Sequence, residues 1–139
     1  MLIFSGDINL TDWYFNAGFG IGSRIGKGFN PFHNIVRNKD DVWIGNFEGV
    51  ASSMSIKHDY SGDVFRVEPE VLNGLSHFDY YGLANNHAMQ HGDAAYLQTI
   101  NAIKSYGSNY FGGKSQKTIS FEQKKVYLYI HFPNGHIGS

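Results

Sequence analysis

The chain has 139 residues, 42% hydrophobic and 16% aromatic, which is enough for one domain with a buried core and too apolar for a disordered chain. Eleven Lys and Arg residues stand against twelve Asp and Glu, a formal charge of −1, so the charge balance points neither to nucleic acid nor to an anionic membrane surface. Cysteine is absent, which excludes disulfides, thiolate metal sites and a cysteine nucleophile.

LIFSGD (2–7) reads as a short buried strand ending at Gly6-Asp7. NAGFGIGSRIGKGFN (16–30) carries five glycines and reads as a flexible surface loop. Its loose GxGxxG-like spacing does not follow directly on a strand, so it is no dinucleotide fingerprint. Asn30-Pro31 has the form of a helix N-cap with proline in the first turn, and Phe32, Ile35 and Val36 would supply its apolar stripe. DVWIGNFE (41–48) reads as a second strand and 51–66 as a polar loop. Pro69 opens a short helix with Val71, Leu72 and Leu75 inward. FDYYGLA (78–84) is the third strand. Residues 92–106 form the clearest helix, with Ala95, Leu97, Ile100, Ile103 and Tyr106 near the helical period and Gly107 as its stop. NYFGG starts a fourth strand, and TISFEQ-KKVYLYIHF reverses like a hairpin. Alternation of this kind predicts a layered α/β domain, one domain over residues 1–139, with a largely parallel sheet and flanking helices.

No apolar run approaches the ~18–20 residues of a membrane span. Nothing resembling a basic n-region or a small-residue cleavage site precedes the first strand. As written, the chain is expected in the cytoplasm, or outside it and membrane-associated if an export segment was lost upstream.

Three strands end in polar groups: Asp7, then Asn46 with Glu48, then Asn86 with His87. Ligands of open α/β sheets bind at the carboxyl ends of strands, so parallel strands would bring these groups to one sheet edge. Carboxylates, an amide carbonyl and an imidazole suit a divalent metal such as manganese, iron or zinc. Such an ion would polarise a phosphoryl or acyl oxygen and activate water. Singly, each residue has a plainer reading: Asp7 and Asn46 as turn residues, Glu48 as a solvated carboxylate, His87 as a structural histidine. Their coincidence at three strand ends favours a site. His33, His58, His77 and His91 read as structural or surface residues, and the His131/His136 pair as either ligands or a solvated loop. Trp13, Tyr14, Phe15 and Phe19 would form a sugar- or peptide-stacking surface or simply anchor their loop.

FSGDINL, VWIGNFEGV and GLANNHAMQHG, followed by a helix and NYFGG, resemble the capsule-synthesis CapA family, also called the poly-gamma-glutamate biosynthesis family, of the calcineurin-like metallophosphoesterase superfamily. The order and spacing fit from about residue 2 to residue 130. The resemblance implies a metallophosphoesterase-like fold and a divalent-metal site, dinuclear when complete, with Asp7, Asn46, Glu48 and Asn86 as its metal groups. It implies that His87 acts near the leaving group as an acid or orienting donor, while Asn85 braces the loop. The substrate would be a polymer or a small molecule, attacked at a phosphoryl or amide-type centre. The later H-W-G-x-E and Gly-His motifs of the family are not found, so the chain is expected to be the N-terminal part of such a domain, inactive alone. The alternative is a non-catalytic scaffold or binding module that keeps half of the metal site. A sheet left open at one edge is expected to pair with a second copy.

Overall fold

The computed structural model describes residues 1–12, 18–54 and 65–113, with the strand backbones of 118–121 and 126–129. In chain order the elements are β1 (Leu2–Ile8), α1 (Ile21–Gly26), β2 (Val42–Phe47), β3 (Val50–Ala51), β4 (Arg66–Val67), a 3-10 helix (Pro69–Leu75), β5 (Tyr80–Gly82), α2 (Gly92–Ser105), β6 (Asn109–Phe111), β7 (Thr118–Phe121) and β8 (Val126–Tyr129).

Four strands form a parallel sheet in the order β1-β2-β5-β6, the expected mixed α/β architecture. Parallel neighbours need crossover connections, and the 3-10 helix and α2 lie in those crossovers. Phe47, Tyr81, Leu83 and Ile103 are almost wholly buried in the main core between sheet and helices, and Phe111 is buried in a separate small cluster with Ile44. Each such side chain contributes about 1.5–3 kcal/mol through its removal from water. β7 and β8 pair antiparallel, as the hairpin reading expects.

α2 follows its helical period except at two expected positions: Tyr106, just past its last residue, is exposed, and Leu97 exchanges with Thr99. Ala95, Tyr96, Ile100, Ala102 and Ile103 are buried, but Leu97 is exposed and Thr99 takes a core position. The Thr99 hydroxyl donates to the Ala95 carbonyl and accepts the Ala51 N–H at 3.0 Å, so a polar side chain ties α2 to β3. Gly107 ends the helix: its N–H donates to Lys104 O and the Ser108 N–H to Ile103 O, both at 3.1 Å, which is the Schellman pattern.

Three expectations fail. Residues 31–34 are turns, not a helix. Asn30 Oδ1 accepts the Phe32 N–H at 2.8 Å, a local turn that competes with helix entry, and Ile35 and Val36 face solvent instead of a core. The glycine-rich stretch is not a floppy loop, because it contains α1. Asp12 supports that helix from a distance, with Oδ1 accepting the Ser23 N–H at 3.0 Å and Oδ2 accepting the Gly18 N–H at 2.8 Å and the Ser23 hydroxyl. Burial works to raise the Asp12 pKa, but the bonds from Ser23, Gly18 and Gly20 outweigh it and hold the carboxyl below its usual range. Finally, the ends of the 51–66 segment are not loop: Val50–Ala51 and Arg66–Val67 pair as short parallel strands.

The sheet end remote from the polar groups is closed by Asp79. Its Oδ1 pairs with Arg37 at 2.5 Å and its Oδ2 accepts the Trp43 N–H at 2.8 Å. Among the described residues no helix is long and apolar enough to cross a membrane.

Candidate metal centre

The first feature of the site is a bulge. Phe4 pairs with Ile44 and Asp7 with Asn46, so β1 spends one residue more than β2 over the same span. Gly6 absorbs the extra residue at φ +53°, a left-handed conformation that strains any side chain. Because strand side chains alternate faces, this one-residue insertion decides where Asp7 points. It sets Asp7 beside Asn46, and Asn46 Nδ2 donates to Asp7 Oδ1 at 2.8 Å.

Asn46 is in turn paired with Gly82 of β5, and the chain past β5 brings back Asn85. Asn85 Nδ2 donates to the Phe47 carbonyl at 2.8 Å and to Asn46 Oδ1 at 3.1 Å. Asn85 Oδ1 accepts the N–H groups of His87 at 3.0 Å and Ala88 at 2.9 Å. Backbone partners fix the sense of the Asn85 amide, since carbonyls only accept and N–H groups only donate. That sense passes to Asn46, whose amino group is turned to Asp7 and whose carbonyl oxygen is already engaged by Asn85. Asn85 is thus the brace that the sequence suggests.

The turn that Asn85 holds presents Asn86, exposed, and His87, part-buried. His87 Nε2 lies 3.0 Å from Asn86 Nδ2 and 3.9 Å from Glu48 Oε1. His87 Nδ1 lies 2.7 Å from Gln90 Oε1. One face of the imidazole is covered by Phe65, with ring centroids 3.5 Å apart and planes within 10°.

Asp7, Asn46, Glu48, Asn86 and His87 therefore share the carboxyl end of the sheet. Asp7 and Asn46 make one pair, and Glu48 and His87 face each other in a second. The donor chemistry, hard oxygens with one imidazole, suits a divalent ion. Among the described residues, however, no three of His, Cys, Asp and Glu are gathered closely enough to hold one. Gln90 and Phe65 were not singled out in the sequence. Gln90 had a local signal, lying three residues beyond His87 on the same turn. Phe65 had none, because its contact with His87 depends on the β3–β4 pairing.

The other histidines are structural or surface residues where they are described. His91 is 2% exposed, His77 stacks on Phe32 with centroids 4.1 Å apart, and His33 lies on the surface near Asn30 O. His58, His131 and His136 lie outside the described residues, as do Trp13, Tyr14 and Phe15. Phe19 is exposed, with Lys27 Nζ 5.4 Å from its ring centre, and is not anchored in the core.

The model of a bacterial capsule synthesis protein family, PGA_cap, matches residues 1–136. The chain belongs to this family. Membership accords with the strand-end motifs of the capsule-synthesis protein and with a metallophosphoesterase-type α/β fold. A search of the curated proteins returned no match.

Proposed function

We propose that this capsule-synthesis protein carries a metal-dependent hydrolytic site, of phosphoesterase type, at the carboxyl end of its parallel sheet. The substrate would be a phosphoester or a gamma-glutamyl amide of the polymer or its precursors. The observation that carries this reading is the meeting of Glu48 and His87 Nε2 at 3.9 Å, beside the bonded pair Asp7 and Asn46. Two groups that both accept protons and cations face one gap there. A divalent ion would be held by Asp7, Glu48 and Asn86, and by Asn46 once its amide oxygen turned from Asn85 to the ion, and when bound it would polarise the oxygen of the scissile centre and lower the pKa of water. His87 would move the proton at Nε2, while Asn85 keeps the turn in place by its four bonds.

The test is elemental analysis of the purified chain beside the Glu48→Ala/His87→Ala double variant, followed by assays on phosphoesters and gamma-glutamyl peptides. The expected result is near-stoichiometric manganese, iron or zinc that the variant loses, with hydrolysis of one substrate class. Metal-free protein in both cases, with no hydrolysis, overturns it.

A second reading is a non-catalytic binding module with a degenerate site. It is favoured by one observation: no three potential ligands of the His, Asp and Glu kind converge among the described residues. The same experiment separates the two readings.

A further inference from the structure

Two residues that were not among the predicted site residues meet the His87 ring, Gln90 at its edge and Phe65 on its face. Gln90 Oε1 sits 2.7 Å from Nδ1, the shortest polar contact of the ring. Phe65 lies flat on one face at 3.5 Å. Phe65 is also the one non-glycine residue with positive φ, +53°, among the described residues. Positive φ at a bulky residue persists only where its surroundings impose it, and such outliers gather at functional sites.

The surroundings that impose it are visible. The Phe65 carbonyl accepts the Val50 N–H at 2.7 Å, next to the β3–β4 ladder. The same carbonyl presses on Gly49, where a Cβ would come within 2.9 Å of it. Gly49 directly follows Glu48, so the backbone that delivers the carboxylate also seats the ring that covers His87.

We propose that Gln90 and Phe65 are positioning residues for His87: Phe65 holds the ring in one orientation, and Gln90 holds it in one neutral tautomer, with hydrogen on Nδ1 and the lone pair on Nε2. Gln90 Oε1 accepts the Nδ1 hydrogen. Asn86 Nδ2 donates to Nε2 at 3.0 Å. A hydrogen on Nε2 would draw Glu48 into bonding range, but the carboxylate stays at 3.9 Å. Phe65 prevents the ring from tilting away from that line. His87 Nε2 is therefore an acceptor, its one lone pair turned to Asn86 Nδ2, and a group entering the gap before Glu48 would have to displace that amide to reach it. This inference deepens the proposed hydrolytic reading, and its test is free of activity.

The experiment is long-range 1H–15N correlation on the labelled 139-residue chain at about pH 8, above the ordinary imidazole range. In the wild type, His87 is expected to show a pyrrole-type Nδ1 and a pyridine-type Nε2. Gln90→Ala is expected to lose this single-tautomer signature with the backbone amide spectrum otherwise kept, and Gln90→Glu to retain it. Phe65→Leu is expected to shift the His87 ring protons, from which it removes an aromatic ring current, without changing the tautomer. A pyridine-type Nδ1 in the wild type overturns the proposal, and so does an unchanged tautomer in folded Gln90→Ala. The wild-type spectrum decides alone if the variants do not fold. If the tautomer is as expected but the chain hydrolyses nothing, only the hydrolytic reading falls.

Discussion

Asp12 gathers two backbone N–H groups and a hydroxyl onto one carboxylate, and the order of the 18–24 segment depends on its charge. Its folded pKa lies below the ordinary 3.8, so its contribution is complete above 3.8 and disappears as pH falls through the lower folded value. The amides of Gly18 and Ser23 are expected to lose protection only in that acid range. In Asp12→Asn, amide exchange should be faster even at neutral pH, with a stability loss of about 1–3 kcal/mol typical of a removed charged acceptor. Unchanged protection in the variant would mean that α1 stands without this support. Asn85 illustrates a residue with the same density of bonds but a different task. Its partners come from the end of β2 and the His87 turn, so it positions other groups and needs no charge to do so.

Among the elements, the β1 bulge is the most exposed to a single substitution. Gly6→Ala puts a side chain at φ +53° and should cost about 1–2 kcal/mol of left-handed strain. The relief open to the chain is to smooth out the bulge, which rotates Asp7 away from Asn46. The Asn46 side-chain amide resonance should then move, and urea denaturation should give a lower midpoint. An unmoved Asn46 amide would show that the bulge survives without glycine. The elements also show what could be read in advance. Strands ending in GD, NFE and NNH were legible because apolar runs stop abruptly at polar groups, and α2 was legible through its period. The helix after Asn30 was a misreading, since cap and proline were present but Ile35 and Val36 face solvent. α1 was missed because three glycines within Gly20–Gly26 depress helix propensity, and its compensation comes from Asp12, outside the segment. Of the candidate site, the motif residues could be found, but the parts contributed by Phe65 and Gln90 depend on how the turn and the β3–β4 pair fold back.

For the molecule as a whole, β1 has a hydrogen-bonded neighbour on one side only among the described strands, and Phe4 on it is 56% exposed. The bulge at Ser5-Gly6 interrupts pairing, leaving Leu2–Phe4 as the sticky portion of that edge. Concentration-dependent association is the expected outcome in sedimentation velocity, reduced by Phe4→Lys. A wild-type protein that stays monomeric at every concentration would count against it. The parallel sheet has a further consequence, which lies in time. The Asp7–Asn46 and Asn46–Asn85 bonds each join residues 39 apart in sequence, and the strand pairs they belong to are equally remote. Neither bond can form until a long stretch of chain has been closed into a loop, so this inter-strand cluster of Asp7, Asn46 and Asn85 has no local nucleus and no partial version, unlike the turn around His87, whose bonds are local. Folding should be slow for a chain of this size, and the cluster should appear only with the finished sheet. Each time the sheet opens, the whole cluster is dismantled at once, and its rate of reappearance is the refolding rate of the protein.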